Sequence, residues 1–223
     1  MRRLFPEPTD PITVAEAYAA PRHVTGRPWV GLCMVASIDG TTVVEDNSRA
    51  LGSPADTQVL VGLRRLADTL LVGASTVRIE GYGPPSKPGQ RVGVVSRTGR
   101  GLDLDAPLFT SGAGFLVLPD DAPAAPVDTV RAGRGDVDLA AALVGIAELT
   151  GATYVQCEGG AALNAAMAAA DLFDEIDLTL SPHLAGGDGP RVTVGAPAVL
   201  QRFDLAHVLD DDGFLFTRYV RRR

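Results

Sequence analysis

Short runs of β-branched and other apolar residues alternate along most of the chain with Ala/Leu-rich stretches of helical period, the pattern of helices packed on a mainly parallel sheet. Residues 29–37 (WVGLCMVAS) are apolar almost throughout and predict a strand buried on both faces. Ser53-Pro54-Ala55-Asp56 has the spacing of a capping box with proline in the first turn, and Val59, Leu60, Leu63 and Leu66 follow at helical spacing. This predicts a helix reaching the neighbourhood of Asp68. Strands are expected at 69–72, 91–96 and 115–118, with a short helix over 76–80 between the first two. Near the start, Asp10 as N-cap and Pro11 at the first helical position predict a helix to about Ala19.

Residues 119–137 are rich in Pro, Asp, Gly and Ala and read as a flexible surface connection, because strand and helix patterns resume on both sides of them. Asp138 is expected to cap a helix to about Thr150, followed by a strand at 153–158 and a helix of small residues at 161–170. Residues 173–181 (FDEIDLTLS) alternate polar and apolar positions, as a half-exposed strand does. The Asp212-Gly213 step between 200–209 and 213–219 signals a tight turn, so the chain is expected to finish in an antiparallel hairpin and the sheet to be mixed. The expectation is an α/β domain over residues 26–223, preceded by an extension, residues 1–25, with its own short helix.

Composition narrows the function. A chain of 223 residues, 46% hydrophobic, is long enough for one substantial core. Its net charge of −7 argues against a nucleic-acid surface, which needs clustered Lys and Arg. The two cysteines, Cys33 and Cys157, and the three histidines, His23, His183 and His207, show no ligand spacing, so no metal is expected. Prolines and acids interrupt the first thirty residues and no run approaches the ~18 apolar residues of a membrane span, which predicts a soluble, cytoplasmic protein.

Four segments put polar or turn-forming residues at the end of a buried strand, where open α/β sheets bind ligands. Ser37-Ile38-Asp39-Gly40 offers an acid at the edge of an apolar core, a candidate proton donor of raised pKa; an Asp-Gly turn with a capping serine is the plainer account. Residues 72–77 (VGASTV) pass from strand to helix through small residues with hydroxyls at Ser75 and Thr76, which suits an anion or a pyrophosphate, or ordinary capping by Ser75. Residues 157–164 (CEGGAALN) put two glycines between a strand and a helix, opening the backbone amides to a phosphate, or making only a tight connection. The neighbouring Glu158 favours function, since a carboxylate there needs hydroxyls or a cation. Ser96-Arg97-Thr98 suits a phosphomonoester such as the 2′-phosphate of NADP; alone, a solvated arginine is the simpler reading.

Taken in this order, MVASIDG (34–40), residues 48–64, LLVGASTVRIEGYGP (70–84), VVS (94–96), CEGGAALN (157–164) and DLFDEIDLTLSPHLAGG (171–187) resemble the reductase domain of riboflavin biosynthesis. That family reduces 5-amino-6-(5-phosphoribosylamino)uracil with NADPH. The resemblance implies a dihydrofolate-reductase-like fold, usually in a homodimer. It implies that Gly73, Ala74, Thr76 and Val77, with Gly159, Gly160, Ala161, Leu163 and Asn164, cradle the nicotinamide nucleotide. Ser96, Arg97 and Thr98 would face its adenosine phosphate. Ser37, Asp39, Ser48, Arg64 and Glu158 would line the substrate, Arg64 as phosphate ligand, with Asp39, Glu80 and Glu158 as the catalytic acids.

Three features depart from that family. No H-x-E followed by P-C-x-x-C is present, so the deaminase half often fused to such reductases is missing from this sequence. Cys33 stands where a lysine is often found, and Glu80 where an aspartate is common. A pteridine reductase acting on dihydrofolate, with Asp39 as ring partner and proton source, and a non-catalytic nucleotide-binding protein are the other readings.

Overall fold

The computed structural model describes residues 1–222. In chain order its strands are β1 (Arg2–Phe5), β2 (Trp29–Ala36), β3 (Thr69–Gly73), β4 (Arg91–Val95), β5 (Gly114–Leu118), β6 (Thr129–Arg131), β7 (Tyr154–Cys157), β8 (Glu175–Leu180), β9 (Phe203–Asp211) and β10 (Phe214–Arg221). The helices are α1 (Val14–Ala17), α2 (Pro54–Leu66), α3 (Ala74–Glu80), α4 (Pro107–Thr110), α5 (Leu139–Thr150) and α6 (Ala161–Ala169). The strands form one sheet in the order β1-β9-β10-β8-β2-β7-β3-β4-β5-β6. Neighbours from β8 to β6 are parallel, and β10, β9 and β1 extend the sheet in antiparallel fashion. This is the expected mixed, mainly parallel sheet ending in a hairpin.

Helices cover both faces, which is why β3 and β5 are buried at every position. On one face α5 and α6 pack Leu143, Ile146 and Met167 against Val30, Leu32, Phe115 and Val155. On the other, α2 lays Val59 and Leu63 over Leu209 and Phe216, while α3 joins Leu70, Val72, Val92 and Val94. Helix α2 begins as its sequence dictates: Ser53 Oγ accepts the Asp56 amide at 3.0 Å and Pro54 opens the first turn. The box is half closed, because the Asp56 carboxyl takes the Thr179 side chain as its partner.

Four local expectations are corrected. The first helix starts after Thr13, not Asp10, because Thr13 and Glu16 close a reciprocal capping box; it is one turn long, and Pro21 lies just beyond its end. Helix α3 starts at Ala74, so Ser75 and Thr76 lie inside it and neither caps it. Residues 119–137 contain edge strand β6, and Arg131 ties the loop down by donating to the carbonyls of Pro119, Asp120, Ala122 and Pro123. Strand β8 lies inside the sheet, and its buried positions are the polar ones, Glu175, Asp177 and Thr179, because arginines reach Glu175 there. Strand β1 and helix α4 carry no periodicity of their own; β1 exists through its pairing with β9.

Candidate active site

Strands β7, β3 and β4 are consecutive in the sheet and parallel, so the segments after them, 158–164, 73–77 and 96–98, stand side by side at its carboxyl edge. The first two touch: the Gly73 amide donates to the Gly159 carbonyl at 2.6 Å. Glycine is needed at both places. Gly159 has φ +81° and is joined to Gly160 by a cis peptide bond, and a Cβ on Gly160 would lie 2.8 Å from Thr76 Oγ1. Neither α3 nor α6 has a side-chain cap, and α6 opens on Gly160 with its first amides uncovered by side chains.

Beside these turns lies a cavity of about 650 Å³ whose wall includes Ser48, Arg64, Thr76, Glu80, Glu158, Gly160 and Ala161. Its most heavily hydrogen-bonded side chain is Glu158. Arg64 donates to it through Nε and Nη2, both at 2.7 Å, Tyr82 through its hydroxyl at 2.6 Å, and Gln156 through Nε2 at 2.9 Å. Burial pulls on the Arg64 charge, but the Glu158 bonds and charge outweigh it and hold the guanidinium protonated more firmly than usual. Burial, and then the Glu158 charge, push the Tyr82 phenol well above its ordinary range, so it stays a donor. Across the cavity, the Ser48 hydroxyl donates to Glu80 at 3.4 Å, and the Arg49 guanidinium lies 3.9 Å from the same carboxylate.

Several sequence-predicted residues fall outside this arrangement. Asp39 is exposed and is not an acid of raised pKa: hydrogen bonds from Ser37 Oγ at 2.6 Å and from the Ala185 and Gly186 amides hold its carboxyl down at about 2. It is an ionised tie between the β2 turn and the 182–190 loop, and the proton-donor role expected of it is withdrawn. Ser37 is buried in the same turn. The side chains of Val77 and Leu163 belong to the core, and Asn164 is buried, its amide donating to the Val192 carbonyl. These leave only backbone for a nucleotide. Ser96 Oγ accepts from the Thr98 and Gly99 amides, and Arg97 and Thr98 are exposed at the end of β4. Arg64, expected as a phosphate ligand, already has two of its donors on Glu158.

Sequence reasoning missed Tyr82, Gln156 and Asp56. Tyr82 sits in a loop with no periodicity to single it out. Gln156 is the one polar side chain inside the apolar run of β7, and Asp56 reads only as part of a capping box.

The sheet order, the carboxyl-edge turns and the closing hairpin put the chain in the dihydrofolate-reductase-like class. A dihydrofolate reductase from Enterococcus faecalis, complexed with NADP(H), superposes with a TM-score of 0.53 at 13% identity, over 87% of this chain and 97% of that one. Within the class, the model of the RibD C-terminal domain matches residues 28–214, and the chain belongs to that family. It is similar to a 2,5-diamino-6-ribosylamino-4(3H)-pyrimidinone 5′-phosphate reductase of Methanothermobacter thermautotrophicus, 27% identical over 80% of this chain and 88% of the relative. A pyrimidine reductase-like protein from Corynebacterium diphtheriae shares the fold with a TM-score of 0.81 at 20% identity, over 95% of this chain and all of that one.

Proposed function

We propose that this chain is an NADPH-dependent reductase of the riboflavin pathway, reducing the ribosylamine of a phosphoribosylaminopyrimidine. The observation that carries the proposal is the contact of the two side-chain-free turns after β3 and β7, directly beside a cavity walled by Glu158, Arg64, Ser48 and Glu80. The relative from M. thermautotrophicus supports the substrate class, and the NADP(H) complex of the E. faecalis enzyme supports the cofactor.

The residues fit a dinucleotide. A Cβ on Gly160 would collide with Thr76 Oγ1, so the two turns pack closely there, and the start of α6, which has no side-chain cap, lies at the cavity wall with Gly160 and Ala161. Thr76, Gly160 and Ala161 would hold the nicotinamide half, with Ser96, Arg97 and Thr98 toward the adenosine phosphate. When bound, the cofactor supplies the hydride. Glu158 is fixed by three neighbours and would orient the ribose hydroxyls of the substrate. Arg49 and Arg65, which also line the cavity, with the remaining Arg64 Nη1, would take the substrate phosphate. Ser48 and Glu80 would serve the proton that completes reduction of the ring-opened imine. The proposal includes a cytoplasmic homodimer; among the described residues no helix is long and apolar enough to cross a membrane.

A fluorescence titration with NADPH tests the cofactor, and NADPH oxidation with the phosphoribosylaminopyrimidine tests the reaction. Saturable NADPH binding and turnover of the pyrimidine are expected. Turnover of dihydrofolate alone would overturn the substrate, and no NADPH binding would overturn the whole reading.

A further inference from the structure

The segment 189–194 joins two parts of the cavity wall, and alternate residues tie it down. The Pro190 carbonyl accepts from the Thr42 amide at 2.8 Å and from the Thr42 hydroxyl at 3.0 Å, on the loop after β2. The Val192 carbonyl accepts from Asn164 Nδ2 at 2.8 Å, and the Val194 amide donates to the Ala161 carbonyl at 3.1 Å, both at the start of α6. Arg191 and Thr193, between these ties, are exposed. Thr42, Pro190 and Ala161 all line the cavity, so this strap connects the loop after β2 to the turn before α6.

Asn164 is the unexpected member of the set. Its helix, AALNAAMAA, is otherwise apolar, and at a position with no exposure an amide is costly unless it is bonded. Its oxygen has a weak donor in Cys157 Sγ at 3.7 Å, so the bond to Val192 is the one that fixes the side chain. Fixed there, the amide packs on the α-carbon of Gly159. A Cβ added to Gly159 would lie 3.3 Å from Asn164 Nδ2, 3.5 Å from its Oδ1 and 3.1 Å from Met34 Sδ. The Gly159 carbonyl in turn holds the Gly73 amide. Contacts therefore run without a break from the strap, through Asn164, to the two turns that the reductase reading gives to the nucleotide.

We infer that Asn164 is a positioning residue: it latches the 189–194 strap to α6 and, held by that bond, fixes Gly159 in the turn on which the nucleotide binds. Asn164 touches no ligand in this role, and the inference rests on the reductase reading for the nucleotide. An apolar side chain at position 164 leaves the Val192 carbonyl without its donor, which frees the strap and loosens the wall behind Gly159.

The experiment uses Asn164→Leu, which removes the donor at similar volume, and Asn164→Ala, which removes it in an alanine-rich helix. Gln201→Ala is the control, because it removes a bond of the same kind, Gln201 Nε2 to the Ala168 carbonyl at 2.7 Å, from the far end of α6. Three quantities are read in each protein: the NADPH dissociation constant by fluorescence titration, KM for the phosphoribosylaminopyrimidine with NADPH saturating, and the rate of tryptic cleavage after Arg191 without ligand. Cleavage after Arg134, also exposed, serves as the internal clock. Both Asn164 variants are expected to weaken NADPH binding about tenfold. Their pyrimidine KM should stay within about twofold of the wild type, and cleavage after Arg191 should speed up about fivefold relative to Arg134. Gln201→Ala should leave all three unchanged. Wild-type NADPH affinity in the Asn164 variants overturns the inference and leaves the reductase reading intact. So does an unchanged cleavage rate after Arg191, a loss that falls equally on NADPH and the pyrimidine, or one that Gln201→Ala reproduces. If Asn164→Leu does not fold, Asn164→Ala decides. A wild type that binds NADPH without turning over the pyrimidine refutes the reductase reading, and the NADPH and trypsin measurements still decide the latch. A wild type that does not bind NADPH overturns both.

Discussion

Arg64 and Glu158, 94 residues apart in the chain, meet through two parallel 2.7 Å hydrogen bonds that join the last turn of α2 to the end of β7. The geometry is the fork-on-carboxylate arrangement that arginine makes and lysine does not. Its two halves differ in environment: the Glu158 side chain is 4% exposed and the Arg64 side chain 35%.

That asymmetry sets the first prediction. Arg64→Ala leaves a buried carboxylate with only Tyr82 and Gln156 as donors and should cost about 2–3 kcal/mol, below the value for a fully buried pair because the guanidinium meets solvent. Glu158→Gln keeps the shape and should cost less. Urea unfolding of both singles and the double variant is the measurement, and a coupling near zero would show that the pair is merely adjacent.

The contact between Gly160 and Thr76 governs the second. A methyl at position 160 meets Thr76 Oγ1 at 2.8 Å, so Gly160→Ala should lower NADPH affinity at least tenfold by filling the turn. Asp39→Asn should leave NADPH affinity unchanged, because Asp39 faces the 182–190 loop and not this turn. A fluorescence titration in which Gly160→Ala and Asp39→Asn behave alike would contradict this division.

How much of this was legible in the sequence depends on what holds each piece. The parallel strands could be read because burial on both faces forces continuous apolar runs, as in 69–73 and 114–118. Helices α2 and α5 could be read because Ser53 and Asp138 cap them locally. The glycines of 159–160 could be read as a tight turn between a strand and a helix, which is where they lie, between β7 and α6. Strand β8 misled, since alternation reports which residues share a face and not which face is buried; Arg22 and Arg218, far away in sequence, make the polar face the inner one. Asp39 misled for a related reason. A strand end looks apolar in sequence, but two amides from residues 185 and 186 arrive there only in three dimensions. Strand β1 has no signal of its own, because an edge strand is stabilised by its partner.

The N-terminal segment supplies a third prediction. Tyr18 is buried against the core of α2, and Arg22 donates to Glu175 at 2.6 and 3.0 Å, with Arg218 and Trp29 supplying the other donors. The Arg22 side chain is 7% exposed and that of Glu175 fully buried. Arg22→Ala should therefore cost about 3 kcal/mol. If residues 1–25 fold as one unit with the sheet, the urea transition shifts to lower concentration with an unchanged slope; a second transition would show that the segment unfolds separately.

His207 gives the last prediction, a pH dependence with a definite sign. Its ring is 4% exposed and packs edge-on against Tyr18 with centroids 4.6 Å apart, and Nε2 has no hydrogen-bond partner. Burial, and then the charge of Arg218 in the facing register position, pull its pKa down to about 4 against the attraction of Glu175. Above pH 6.5 the imidazole is neutral in both folded and unfolded chains and costs nothing. As pH falls from 6.5 toward 4 the unfolded chain takes up a proton that the folded one refuses, so stability is lost across that window. At about 1.4 kcal/mol per pKa unit the loss approaches about 3 kcal/mol. His207→Phe retains an aromatic ring against Tyr18 and removes the proton, so it should unfold with a shallower pH slope than the wild type between pH 7 and 4.5. Glu175, held below the ordinary carboxylate range by Arg218 and Arg22, stays ionised across that range, and the carboxyls that do titrate in it are common to both proteins. Parallel stability curves for the two proteins over that range would show that His207 accepts its proton in place.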